Sequence, residues 1–183
     1  MSSKILLTSF TTWESYQKSN SSDDLLAEIE KKEFPHLSLT FLRKLPVDVE
    51  KASKQVIATI DKTQPNAIIC CGMAEGRKML TVESNARWKG DCLSTTVNLP
   101  QLIAGLSHTA ISDDAGQFVC EGLYYHVLNY ISQSSLSSSS IFVHIPILTE
   151  TNQGIIIKDM ELIVTRTANQ QQTTKPRYHE YYD

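Results

Sequence analysis

Short, almost unbroken apolar runs alternate with amphipathic stretches along most of this chain. Ile5-Leu6-Leu7, Ala67-Ile68-Ile69-Cys70-Cys71-Gly72 and Ile141-Phe142-Val143-His144-Ile145 contain few polar interruptions. Successive side chains of a strand point to opposite faces, so a strand that is apolar at every position is buried on both. Sheets of that kind are covered by helices on two sides. Between the runs, Val49, Ala52, Val56, Ile57 and Ile60 recur at helical spacing. The alternation of strand and helix predicts an α/β protein: a three-layer α/β/α sandwich with a mixed, largely parallel sheet.

In more detail, strands are predicted over residues 4–10, 37–42 (closed by Leu45-Pro46), 67–72 and 141–146, the last ended by Pro146. Helices are predicted from an N-cap at Asp23 or Asp24 through Ile29, and over 49–61, 115–131 and 157–167. Residues 79–82 suit a strand or an extended arm. Residues 87–109 read as a loop with short elements, and the serine-rich stretch 132–140 as a loop. One domain over 1–167 and a polar tail over 168–183, mobile or docked, complete the expected organisation.

The 183 residues can bury a core without covalent staples. A net charge of -3 gives no broad basic footprint for nucleic acid or anionic membrane. No apolar run approaches the roughly 20 residues that span a bilayer, and Ile5–Phe10 is too short for a signal-peptide core. The expected location is therefore cytoplasmic. Cys70, Cys71, Cys92 and Cys120 are expected as free thiols, with no C-x-x-C pair to hold zinc or run redox chemistry. No cofactor and no metal are expected.

Three residues have the chemistry of a hydrolase. Cys120 falls near the start of a predicted helix, just after Ala115-Gly116, where unpaired N–H groups and the positive dipole end favour a thiolate and can hold an oxyanion. His144 stands in an apolar strand, a place that demands partners for its ring nitrogens. Glu83 follows Leu80-Thr81-Val82, at the end of a β-compatible run. A thiol, a base and a group that orients the base are what cysteine hydrolysis requires. Each residue also has a bland reading: packed helix cysteine, satisfied core histidine, exposed carboxylate.

Asp113-Asp114-Ala115-Gly116-Gln117-Phe118-Val119-Cys120 resembles the nucleophile motif of the pyroglutamyl peptidase I (peptidase C15) family. Gly72-Met73-Ala74-Glu75-Gly76-Arg77, followed by Leu80-Thr81-Val82-Glu83, resembles that family's glutamate motif, and Phe142-Val143-His144-Ile145-Pro146 its histidine strand. The resemblance runs from about residue 4 to about residue 165. It implies an open α/β/α sandwich that removes an N-terminal pyroglutamate, with Glu83, Cys120 and His144 as catalytic residues. It also implies aromatic clasping of the lactam by Phe10 and Trp13, a peptide substrate and a homo-oligomer. The chain departs from the family pattern at Ser9, Thr12-Trp13-Glu14, Ser84 and Glu121. Two alternatives stay open here. One is the same trio acting on another small acyl amide. The other is a catalytically silent relative that binds a peptide N-terminus or a small lactam.

Overall fold

The computed structural model describes residues 2–170 and 178–180. Its centre is a six-stranded sheet of β1 (Ser3–Phe10), β2 (Leu37–Leu45), β3 (Ala67–Met73), β4 (Leu80–Glu83), β7 (Thr109–Ser112) and β8 (Ser139–Ile145), in the order β2-β1-β3-β8-β4-β7. Neighbouring strands are parallel except at β4–β8, which is antiparallel. Between β4 and β7 lie β5 (Asn85–Trp88), β6 (Asp91–Ser94) and the short α3 (Leu99–Ile103). The remaining helices are α1 (Ser21–Ile29), α2 (Val49–Thr63), α4 (Val119–Gln133) and α5 (Gln153–Asn169).

The double burial inferred from the apolar runs separates the core into two layers. Ile5, Leu7, Ile69, Cys71, Val143 and Ile145 pack with α1, α3 and α5. Leu6, Phe10, Ile68, Cys70 and Phe142 pack with α2, α4 and the β5–β6 hairpin. Adjacent Cys70 and Cys71 thus lie in different layers, both fully buried.

Several boundaries differ from the sequence reading, each for a local reason. Helix α1 begins at Ser21 because Asn20, not Asp23 or Asp24, is its N-cap; the Asn20 side chain accepts the Ser22 N–H. Asp23 and Asp24 fall in the first turn, where acidic groups suit the positive helix end. Helix α4 starts at Val119 rather than Ala115. Gly116 adopts φ +87°, and its N–H donates to the Asp114 carboxylate, so the chain turns here before the helix begins. The serine-rich stretch is not one loop, because Ser139 and Ser140 enter β8 and Ser138 is buried with its hydroxyl donating to Pro65 O. Helix α5 begins at Gln153 and runs to Asn169, two residues into the predicted tail. Within that tail, Tyr178–Glu180 forms β9 and pairs antiparallel with β6. The rest of the tail, 171–177 and 181–183, lies outside the described residues.

Candidate active site

Three adjacent strands prepare the site before any loop is considered. In the register, Gly72 of β3 pairs with His144 of β8, and His144 with Thr81 of β4. Two residues along, Cys70, Phe142 and Glu83 form the next row. Paired residues of a sheet share a face, as do residues two apart. His144 and Glu83 therefore project toward the layer that holds α4. Tyr124, on the second turn of α4, donates to the Glu83 carbonyl at 3.2 Å and ties that helix to β4.

Glu83 is fully buried, and its Oε1 lies 2.8 Å from His144 Nδ1. The same oxygen accepts from Arg77, whose other terminal nitrogen donates to Asp114 O at 2.6 Å and so reaches the loop before Cys120. Burial alone would raise the Glu83 pKa. The hydrogen bond with His144, the polar Ser112 opposite in the β4–β7 register and the nearby Arg77 charge hold it below the usual range instead. With Nδ1 donating to a carboxylate, the Nε2 lone pair is left to act as a base.

Cys120 is the second residue of α4, whose N-cap, Phe118, makes no side-chain capping bond. The first N–H groups of that helix therefore have no intrahelical partner, and Phe118, Val119 and Cys120 line the cavity described below. The sulfur rests over Gly72: a Cβ at that glycine would lie 2.6 Å from Cys120 Sγ and 2.9 Å from the Phe142 ring. Strands are about 4.8 Å apart, so a sulfur over Gly72 stands next to His144. Among the described residues no hydrogen bond joins Cys120 to His144. The Glu83–His144 limb is made, and the sulfur–imidazole limb is not closed in the free site.

The expected thiolate is not what this setting favours. Burial pushes the Cys120 thiol up to about 12; the charges of Cys70 and Glu83 add to the rise, and Arg77 and the residue's own N–H oppose it. The residue is half-buried at the cavity wall with its sulfur seated close over Gly72, and desolvation at that seat opposes the helix end. Alkylation of Cys120 by iodoacetamide should therefore rise about tenfold per pH unit between roughly pH 7 and pH 10. A plateau near neutrality would reveal a preformed thiolate. Gly72→Ala should cut kcat by about 100-fold, because a displacement near 1 Å of a reacting atom costs that much. Steady-state kinetics on the folded variant test this.

Phe10, Trp13, Val47, Met73, Arg77, Cys120 and His144 are among the residues lining a cavity of about 300 Å³ with predominantly apolar walls. Both predicted clasping residues are there. Phe10 is buried at the end of β1, whereas Trp13 is 44% exposed at the rim. Glu121, beside Cys120 in sequence, is engaged elsewhere. Its Oε1 accepts the Arg87 N–H at 3.1 Å, on the β5–β6 hairpin. Ser9 fills a structural role, donating to Asp23 and accepting from Lys44 N at the irregularity in β1–β2 pairing. Among the described residues, no group of three or more His, Cys, Asp or Glu could hold a metal ion.

Arg77 and Gly72 were missed as site residues, although both stand in the motif quoted for Glu83. A signal existed for the arginine: a carboxylate destined for burial needs a cation or donors within reach. For the glycine there was none, because what approaches it comes from 48 residues away along the chain.

Fold and site together define a class: an open α/β/α sandwich with a cysteine on a helix start and a histidine–carboxylate pair around one apolar cavity. The family model for pyroglutamyl peptidase (peptidase C15) matches residues 3–103 and 94–167, and the chain belongs to that family. The pyrrolidone-carboxylate peptidase of Brevibacillus brevis is 27% identical over 135 residues, 60% of this chain and 63% of that protein. The one from Oceanobacillus iheyensis is 29% identical over 127 residues, 56% and 64% of the two chains. The match thus spans less than two thirds of the length of these relatives. Among solved structures, pyroglutamyl peptidase I from Bacillus amyloliquefaciens superposes with a TM-score of 0.82 at 22% identity, over 93% of this chain and 97% of that one. Pyrrolidone carboxyl peptidase from Thermococcus litoralis gives 0.78 at 19%, over 91% and 93%. These likenesses show the mixed, mostly parallel α/β fold. No described helix is long and apolar enough to cross a membrane.

Proposed function

We propose that this chain is a cysteine exopeptidase that hydrolyses the amide bond after an N-terminal pyroglutamyl residue. The lactam ring enters the apolar cavity between Phe10 and Trp13. His144 Nε2 takes the Cys120 proton as the sulfur attacks the pyroglutamyl carbonyl, and it returns a proton to the leaving amine. Glu83 holds the opposite ring nitrogen and stabilises the imidazolium. The free N–H groups at the start of α4 receive the oxyanion. Water, activated by the same imidazole, releases pyroglutamate from the acyl-enzyme.

The observation that carries this reading is the buried Glu83–His144 bond of 2.8 Å, one strand from the glycine over which the Cys120 sulfur lies. In this reading His144 acts as the general base of the attack step. Substrate binding would close the sulfur–imidazole gap, as apo sites commonly hold such contacts loosely. All four cysteines are free, which agrees with action in a reducing compartment such as the cytoplasm. The test is turnover of a fluorogenic pyroglutamyl amide beside the prolyl and glutaminyl amides. Cleavage of the pyroglutamyl compound alone supports the proposal. Cleavage of another amide instead, or of none, rejects it.

A further inference from the structure

The loop between β1 and α1 carries Trp13 to the cavity, yet burial does not hold it there. Residues 13–16 are exposed, so no core contact fixes the centre of the loop. Its two ends are anchored: Thr11 N–H donates to Leu45 O, and Asn20 Nδ2 to Thr11 O. The centre is held by Gln17. Its Oε1 accepts the backbone N–H groups of Trp13 and Glu14, at 3.0 and 3.2 Å, and its Nε2 donates to Glu75 Oε1 at 2.7 Å. The Tyr16 hydroxyl adds a donor to Glu75 Oε2 at 3.3 Å.

Glu75 lies two residues past the end of β3, and its neighbour Ala74 donates to Ile145 O at 2.9 Å, one residue past His144. It also lines the cavity itself. One carboxylate on the sheet side thus grips the loop that forms the facing wall, through the Tyr16 hydroxyl and through the Gln17 amide, whose oxygen is already committed to the Trp13 backbone.

We propose that Glu75 is a specificity-determining positioning residue, which acts through Gln17 to hold Trp13 as a wall of the cavity and so sets affinity for a flat lactam ring. The lactam as ligand rests on the function proposed above; the latch itself does not. A charge-assisted bond to a pre-turned loop removes the ordering cost that ligand binding would otherwise meet. Its loss should weaken ground-state and transition-state binding alike, and so act on KM rather than kcat.

The experiment uses 2-pyrrolidone as probe ligand and Trp13 as reporter. In a Trp88→Phe background Trp13 is the sole tryptophan of the two in the chain. Glu75→Ala should increase acrylamide quenching of Trp13. In the unmodified background it should weaken 2-pyrrolidone binding and raise KM for a pyroglutamyl amide by about fivefold, with kcat within about twofold. Glu75→Gln, which keeps an acceptor for Gln17, should restore both affinity and quenching. Glu75→Ala with Gln17→Ala should cost less than the two single effects added together, since both remove the Gln17–Glu75 contact that they share. Equal 2-pyrrolidone affinity in Glu75→Ala and wild type overturns the proposal. So does a Glu75→Gln variant that behaves like Glu75→Ala, or a wild type that does not bind 2-pyrrolidone. A wild type that binds 2-pyrrolidone in this Glu75-dependent way but turns over no amide rejects the catalytic reading and leaves the latch standing.

Discussion

Cys120→Ala is expected to lower turnover of a pyroglutamyl amide by about 10⁵-fold or more, the scale on which loss of a covalent nucleophile is felt. Binding should survive. The cavity walls at Phe10, Trp13, Val47 and Met73 do not depend on the sulfur, and the uncapped start of α4 remains in place. The variant should therefore bind 2-pyrrolidone as wild type does while forming no acyl adduct. Single-turnover kinetics and intact-mass measurement separate the two. A variant that retains even one hundredth of wild-type turnover would remove Cys120 from the reaction.

Glu83→Gln is expected to cost about 10³- to 10⁴-fold in kcat, comparable with the loss when the carboxylate of a related triad becomes an amide. Two effects combine. An amide can present its N–H₂ group to the imidazole, which turns Nδ1 into the acceptor and removes the lone pair from Nε2. It also leaves Arg77 without the buried anion that it pairs with. The substitution has a pH signature as well. The Glu83 carboxyl is held below its ordinary range in the folded protein. Its stabilising contribution is therefore complete above the unfolded glutamate pKa of about 4.3 and is lost as pH falls toward the lower folded value. The melting-temperature gap between wild type and Glu83→Gln should be widest near neutrality and shrink below about pH 4. A gap that widens on acidification would contradict the bonding described for Glu83.

Three of the positions that depart from the family's pattern have contacts of their own in the structure. Trp13 and Glu75 are coupled through Gln17. Glu121 is turned toward Arg87, and Ser9 serves the junction of β1, β2 and α1.

Much of this architecture was legible in residue order, and the reason is periodicity. Double burial of β3 and β8 can be read from Ala67–Cys71 and Ile141–Ile145, because side-chain direction along a strand repeats every two residues. The helical face of α2 is equally local. Helix starts were less legible. The Asn20 cap and the turn at Gly116 depend on which of several competing side chains bonds the backbone, a choice that composition leaves open.

The sequence by itself determined the layered fold, the strand that carries His144 and the candidates Glu83 and Cys120, since these depend on local pattern and motif. Only the tertiary structure decided that β3, β8 and β4 lie side by side, which puts Gly72, His144 and Thr81 in one row and Glu83 within 2.8 Å of the imidazole. It also decided that the Cys120 sulfur sits over Gly72, a residue 48 positions earlier in the chain. Adjacency of distant strands and the seating of a helix cysteine over a strand glycine are properties of the assembled packing, and no single segment contains them.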